Sequence, residues 1–222
     1  MFYITMVGYA LLHRPYELRN RIQMTTPYIK ALNRNDLSNC LIHLTKDTTK
    51  VSAFDILKKI LEERKIKASK SPFIVKYEPL GASCFYDVPY LNWKQLIESN
   101  PNERKGYGII IHKNAFWRKG GRPAIYTDNP DTDKWESTER YRLIKTSLNE
   151  KPPIDWTHER EWRVKDDLTF DGIEDSCLCC VENIKDCQNI FEKYSGMKSI
   201  YIVELERVLL REEILICSHH NK

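Results

Sequence analysis

The chain has 222 residues, and a content of 41% hydrophobic and 30% charged residues, with five Trp, twelve Tyr and seven Phe, excludes a wholly disordered protein. The formal net charge of +4 permits a nucleic-acid partner without requiring one, because dedicated nucleic-acid binders usually carry a stronger basic stripe. We expect one domain over residues 1–222, since the length suits a single core and no repeat, linker or low-complexity tract interrupts it.

The first half of the chain predicts strands around one clear helix. Residues 1–36 indicate a loop-rich lead-in that packs on the domain. Residues 40–44 form a short apolar run typical of a buried strand. Apolar residues then recur at helical spacing over 54–66, and Ser52 is placed to cap this amphipathic helix. The further elements predicted here are a turn at 79–81, a strand at 82–86, a helix at 93–99 and a strand at 109–111.

The second half predicts more strands and one longer helix. The predicted elements are a strand at 124–126, a helix at 135–148, and strands at 161–164, 199–203 and 214–217. Strands that are separated by loops and by few helices favour a mixed α+β domain.

Residues 156–164, which read WTHEREWRV, carry the most chemical information. If a strand begins near Glu161, residues two apart point to the same side, so Glu159 and Glu161 project together while Trp162 and Val164 face the core. Two neighbouring carboxylates repel, which raises the pKa of one, so that one can hold a substrate hydroxyl while the other accepts a proton. The alternative, and from spacing alone the commoner one, is a hydrated strand edge.

Two further features combine polar or aromatic side chains with apolar strands. His43 lies within the apolar run at 40–44 and needs a hydrogen-bond partner if it is buried. Residues 83–87, which read SCFYD, offer a flat aromatic face on which a ring could stack. Ordinary core packing is the commoner alternative for both.

Cysteine usage and the apolar start predict a cytoplasmic protein without a membrane anchor. The seven cysteines show no regular spacing that suggests disulfides. Residues 1–12 lack a basic leader, and Arg14 follows too soon for a spanning helix. Potential soft metal ligands lack the paired Cys-x-x-Cys spacing of zinc sites, so we predict no metal. These ligands are Cys177, Cys179, Cys180, Cys187, His219 and His220.

A series of segments, in order, resembles the AbiGi family of abortive-infection proteins. The segments are IHLT at 42–45 followed by the helix, CFYDVP at 84–89, YGII at 107–110, FW at 116–117 through PAIY at 123–126, and EREWR at 159–163. The series is also similar, more remotely, to DarT and the wider ADP-ribosyltransferase superfamily. The resemblance covers roughly residues 40–170.

This resemblance implies an ADP-ribosyltransferase-like split antiparallel β core with peripheral helices and NAD clamped in its cleft. Glu161 would hold the 2′-hydroxyl of the nicotinamide ribose, and Glu159 would help the acceptor. The residues expected to contact NAD, as a co-substrate, are His43, Thr45, Ser83, Phe85 and Tyr86. The basic residue that contacts the NAD phosphates stays open among Arg19, Arg21, Lys67 and Lys70.

We expect the acceptor to be a nucleic acid, and we favour RNA, because single-stranded bases can stack on aromatic side chains beside Arg or Lys. The candidate contacts interleave aromatic and basic residues, and they are Trp117, Arg118, Arg122, Arg140 and Arg142. The chain also resembles toxins of CmdTAC toxin–antitoxin–chaperone systems, which modify messenger RNA. That likeness implies a cognate antitoxin and a SecB-like chaperone as partners. The alternatives are transfer to a protein side chain and a non-catalytic, antitoxin-type binding protein.

Overall fold

The computed structural model describes residues 38–99 and 104–213. Several sequence predictions lie outside the described residues. They are the lead-in at 1–36, the basic candidates Arg19 and Arg21, the strand at 214–217, and the pair His219 and His220.

The described residues form strands and helices that alternate irregularly along the chain. The strands are β1 (Cys40–Leu44), β2 (Lys65–Ile66), β3 (Ala82–Tyr86), β4 (Gly108–His112), β5 (Arg122–Pro123), β6 (Ile125–Thr127), β7 (Leu143–Lys145), β8 (Glu161–Lys165), β9 (Leu168–Thr169), β10 (Cys177–Val181), β11 (Ser199–Ile202) and β12 (Arg207–Leu210). The α-helices are α1 (Ala53–Glu63), α2 (Pro72–Val75), α3 (Trp93–Ser99), α4 (Lys113–Arg118) and α5 (Ile184–Lys193). Short 3₁₀ turns occur at Tyr90–Asn92, Thr132–Lys134, Arg140–Arg142, Thr157–Glu159 and Glu174–Ser176.

Eight strands form one large sheet in the order β12-β11-β10-β4-β1-β3-β8-β5. Its neighbours pair antiparallel, except that β10 and β11 are parallel. Two smaller pairs, β2 with β9 and β6 with β7, lie outside this sheet. A large, mostly antiparallel sheet with separate helices confirms the α+β prediction at the level of fold class.

The large sheet has two faces, which consecutive residues of β3 identify. Because side chains alternate along a strand, Phe85 and Tyr86 point to opposite sides, and we name the Phe85 face and the Tyr86 face after them. The Phe85 face packs against apolar residues of α1, α4 and α5. The Tyr86 face packs against α3, whose Trp93 meets the Tyr201 ring edge-on at 5.0 Å.

Helix α1 forms where the sequence predicts it. The Ser52 side chain accepts a hydrogen bond from the Asp55 N–H at 3.1 Å, which satisfies one free donor of the first turn. Leu57 and Ile60 are buried against the Phe85 face. The helix ends three residues earlier than predicted, because Arg64 adopts a left-handed conformation (φ 52°) and leads into β2.

The predicted helix at 135–148 is wrong. This stretch contains the short Arg140–Arg142 turn and then β7, which pairs parallel to β6. The buried side chains of Tyr141, Leu143 and Ile144 fit a turn that runs into a strand, and Ile144 is β-branched, which favours extended backbone.

The cysteine-rich segment near the C-terminal end forms regular structure that the sequence patterns did not predict. Cys177, Cys179 and Cys180 lie in β10, and Cys187 lies in α5. Among the described residues, no group of three or more His, Cys, Asp or Glu side chains could hold a metal ion. Within 38–99 and 104–213, the helices also lack the combined length and apolar character that a bilayer crossing requires.

Candidate active site

Glu161 begins β8 with its side chain on the Tyr86 face, and the residue is only 8% exposed. Arg163, two residues further on the same face, donates to both carboxylate oxygens. Its Nε lies 3.1 Å from Oε1 and its Nη2 lies 3.0 Å from Oε2. Its Nη1 donates to the carbonyl of Leu143 at 3.0 Å. This two-point pairing fixes the carboxylate in one orientation.

Glu159 ends the Thr157–Glu159 turn and lies close to Glu161. Its carboxylate forms an ion pair with Arg104. Burial raises the pKa of Glu159, Arg104 opposes this shift, and the charge of Glu161 adds to it. The two carboxylates therefore interact, although Glu159 lies in a turn and Glu161 in β8. Arg160, which joins the turn to the strand, has a positive φ of 45°.

Two phenols border this carboxylate pair. Burial, followed by the charge of Glu159, raises the pKa of Tyr86 to about 12. Burial also raises the pKa of Tyr126 to about 12, and the Tyr126 hydroxyl accepts a hydrogen bond from the backbone N–H of Glu161 at 2.8 Å. Both hydroxyls therefore stay protonated at neutral pH and can act as hydrogen-bond donors.

A third carboxylate, Asp87, follows Tyr86 at the end of β3. Lys113 donates to its Oδ2 at 2.7 Å, and Arg160 lies 3.5 Å from the same oxygen. The other oxygen, Oδ1, is buried and has no hydrogen-bond partner in the part of the chain that the structure describes. Asp87 after β3, and Glu159 and Glu161 at the start of β8, thus each have a basic partner.

His43 and Phe85, two predicted NAD contacts, lie on the opposite face from Glu161. The register places His43 beside Ile109 on the Phe85 face, and its Nδ1 lies 2.8 Å from the carbonyl oxygen of Cys84. Phe85 has no exposed surface and packs on Phe116, with ring centroids 4.7 Å apart. The structure therefore does not bring these two residues together with Glu161.

Thr45 and Ser83, also predicted to contact NAD, are buried and bonded to backbone carbonyls. The Thr45 hydroxyl lies 2.9 Å from the carbonyl oxygen of Tyr107, and the Ser83 hydroxyl donates to that of Asp166 at 2.9 Å. Packing accounts for both side chains. Of the five predicted NAD contacts, Tyr86 is the one that the structure places beside the carboxylate pair.

Lys67 and Lys70, the described candidates for the NAD phosphates, are exposed. Lys67 forms an ion pair with Glu63, and the Lys70 ammonium donates to the carbonyl of Leu80. These contacts link neither lysine to the carboxylate pair.

Of the predicted nucleic-acid contacts, Trp117 and Arg118 are exposed, whereas the three others donate hydrogen bonds to backbone carbonyls. Arg122 donates to the carbonyls of Trp117 and Gly121 at 3.0 and 2.7 Å. Trp117, in α4, is 50% exposed, and the Arg122 guanidinium stacks over its ring at 3.7 Å. Arg118 is exposed beside them. Arg140 donates to the Trp135 carbonyl at 3.1 Å, and Arg142 donates to the Pro123 carbonyl at 2.9 Å.

Sequence reasoning missed Arg104, Tyr126 and Arg163. Arg163 could have been found, because residues two apart on a strand share a face and the pair Glu161 and Arg163 lies in one motif. Arg104 and Tyr126 carry no local signal, since only the tertiary fold brings them to Glu159 and Glu161.

Comparisons with protein-family models, with curated proteins and with solved structures find no match for this chain.

Proposed function

We propose that this chain is a NAD-dependent ADP-ribosyltransferase that attaches ADP-ribose to a nucleic acid, with RNA as the favoured acceptor. The observation that carries the proposal is the buried Glu161 carboxylate, held at two points by Arg163 and lying beside a second carboxylate, Glu159. The finer part of the fold proposal, an ADP-ribosyltransferase-like split core, stays a prediction, because eight of the described strands form one continuous sheet.

The geometry of Glu161 suits the chemistry of NAD cleavage. Breaking the bond between nicotinamide and ribose develops positive charge on the sugar, as in glycoside hydrolysis. A carboxylate that is already oriented stabilises such a cation without reorganising. Two carboxylate oxygens offer about four acceptor positions, and Arg163 occupies two of them, so positions remain for a ribose hydroxyl.

Glu159 suits the role of the proton acceptor. Its raised pKa lies nearer to neutral pH, where a carboxylate takes a proton from an attacking hydroxyl or amine more readily. NAD would enter as a co-substrate, and the phenols of Tyr86 and Tyr126 both border this pair. A cognate antitoxin, a SecB-like chaperone and a cytoplasmic location stay predictions.

The test is transfer of label from NAD to purified RNA and DNA by wild-type protein and by Glu161→Gln. We expect the substitution to lower transfer by at least about a hundredfold, because it keeps the shape and removes the charge. Glu78→Gln is the matched control, since Glu78 is also buried and pairs with a basic residue of β8, Lys165, at 2.9 Å. Wild-type transfer rates in Glu161→Gln would contradict the assignment.

The fate of the label in a reaction that also contains lysate protein separates the acceptors. If ribonuclease releases the label and protease does not, the acceptor is RNA. Label that protease releases instead identifies a protein side chain and overturns the nucleic-acid part of the proposal.

A non-catalytic binding protein is the second candidate. The observation that favours it is that arginines already pair with both carboxylates, as they do in purely structural ion pairs. Expression in cells distinguishes the two functions, since a transferase toxin arrests growth in a Glu161-dependent way and a binding protein does not.

A further inference from the structure

The side chain of Arg104 is buried but incompletely hydrogen-bonded. It is 11% exposed, forms an ion pair with Glu159 through Nη2, and stacks over the Tyr86 ring at 4.6 Å. Its Nε is buried and has no hydrogen-bond partner among residues 38–99 and 104–213. A buried N–H of a charged group without an acceptor is rare, and it calls for an explanation such as a missing ligand atom.

The surroundings of Arg104 favour an anion as that ligand. In the four described ion pairs of Asp87, Glu159 and Glu161, three carboxylates meet four cations, which leaves one positive charge in excess. The carboxylates are Asp87, Glu159 and Glu161, and the cations are Arg104, Lys113, Arg160 and Arg163. Neighbouring carboxylates would repel an anion, but each of them already has a cationic partner.

The stacked geometry further limits what can bind. The guanidinium is planar and carries five N–H donors in a fixed fork, which matches two oxygens of a phosphate. The guanidinium carbon lies 4.6 Å from the centroid of the Tyr86 ring and Nη2 pairs with Glu159, so Nε is a donor that stays without a partner in the described part of the chain. The neighbouring Lys105 N–H donates to the carbonyl of Thr45 at 2.9 Å, which anchors this part of the chain beside β1.

We propose that Arg104 binds a phosphate group of the substrate, with its Nε donating to a phosphate oxygen next to the Glu159 and Glu161 carboxylates. This inference rests on the proposed function, and the phosphate has two sources within it. It belongs either to NAD or to the backbone of the nucleic-acid acceptor.

The experiment measures binding, so that it does not depend on turnover. ADP and adenosine are titrated into wild-type protein, Arg104→Lys and Arg104→Gln, and a short single-stranded RNA is titrated separately without NAD. Arg104→Lys keeps the charge that pairs with Glu159 but removes Nε. Thermal unfolding of each variant tests whether its fold is intact. If Arg104→Gln fails to fold, Arg104→Lys alone decides the result.

We expect Arg104→Lys to weaken binding of a phosphate-bearing ligand by about tenfold and to leave adenosine binding unchanged. A loss confined to ADP assigns the phosphate to NAD, and a loss confined to RNA assigns it to the acceptor. Arg211→Lys is the matched control. Arg211 also stacks on an aromatic ring, Phe191, at 4.8 Å, but its Nε donates to the carbonyl of Met197 at 2.9 Å.

Unchanged ADP and RNA binding in a folded Arg104→Lys protein overturns the phosphate assignment, as does an equal loss of adenosine binding. Absence of ADP and RNA binding by the wild-type protein overturns it as well. Failure of the proposed function has a different signature. In that case the wild-type protein transfers no label or Glu161→Gln leaves the transfer unchanged, while the ADP and RNA titrations still report on Arg104.

Discussion

The buried pair of Glu161 and Arg163 can serve stability and chemistry together. Removing one partner of a buried ion pair leaves an uncompensated charge, which typically costs about 3–5 kcal/mol of folding free energy. Glu161→Gln keeps one of the two acceptor oxygens for Arg163, so it perturbs the fold less than a truncation to Ala. For this reason the Gln variant, checked for folding, is the informative one.

Gly108 is the residue at which β4 approaches β1 most tightly. A Cβ built on Gly108 would lie 1.9 Å from the backbone oxygen of His43, which cannot move without breaking the strand pairing. We therefore expect Gly108→Ala to lower the free energy of unfolding by about 1–3 kcal/mol. The measurement is urea unfolding.

Gly196→Ala provides the comparison for this prediction. A Cβ on Gly196 meets no atom within 4 Å, so we expect its unfolding midpoint to stay close to that of the wild-type protein. Equal midpoints for Gly108→Ala and Gly196→Ala would contradict the tight approach of β1 and β4.

Among the elements, α4 begins with a cap that can titrate. The Nδ1 atom of His112 accepts a hydrogen bond from the Asn114 N–H at 3.2 Å, which requires a neutral ring. Burial, followed by the charges of Arg118 and Lys113, lowers the pKa of His112 from 6.5 to about 4. Acidification therefore protonates His112 in the unfolded chain before it does so in the folded protein.

This difference predicts that stability falls as the pH drops from about 6.5 towards 4. In this range the unfolded state binds the proton, so stability rises with pH by up to about 1.4 kcal/mol per pH unit from this residue. His112→Asn keeps a capping acceptor and does not titrate, so we expect a shallower pH dependence of its unfolding free energy. Parallel curves for both proteins would show that His112 does not contribute.

The element predictions succeeded where one local pattern was strong. Ser52 and the apolar spacing that follows it define α1, and residues 82–86 and 161–164 have the short strand character that β3 and β8 show. The pattern at 135–148 misled because a turn followed by a strand spaces its buried residues much as a helix does. The three cysteines of β10 suggest possible metal ligands and draw attention away from the apolar character of the run. Its continuous burial is typical of a central strand.

The candidate site could be predicted only in part, because strand register decides which face of the sheet each side chain occupies. Shifting strand register by one residue turns every side chain to the other face, and nothing in the local sequence of β1 or β3 fixes this register. Strand alternation predicts Glu159 beside Glu161, but Glu159 lies in the turn before β8, so the two are close for a reason other than this spacing. Pairing between distant segments determines that His43 points to the Phe85 face and that Arg104 reaches Glu159.

At the scale of the whole molecule, Trp117 and Arg122 present an exposed aromatic ring with a stacked cation. A single-stranded base could stack on this ring, and such stacking contributes about 1–3 kcal/mol per base. We expect Trp117→Ala to weaken binding of single-stranded RNA by that amount and to leave its salt dependence unchanged, because no charge is removed. Fluorescence anisotropy at several salt concentrations measures both quantities.

Phe73→Ala is the control for this surface. Phe73 is a more exposed aromatic residue, at 82%, and no stacked cation covers it within the described residues. Loss of an exposed aromatic side chain as such would affect both variants equally. An equal loss of RNA affinity would therefore contradict a specific role for Trp117.

Arg160, whose backbone is left-handed, separates two carboxylates that are held in place differently, those of Glu159 and Glu161. Glu161 is held in the ladder between β8 and β3, whereas Glu159 ends a short turn that is joined to the ladder through this one residue. The Arg160 carbonyl accepts a hydrogen bond from the Asp87 N–H at 3.2 Å, so rotation about the N–Cα bond of Arg160 would move Glu159 relative to Glu161 and keep this contact between β8 and β3. A ligand that competes with Glu159 for Arg104 could therefore change the distance between the Glu159 and Glu161 carboxylates without disturbing the sheet.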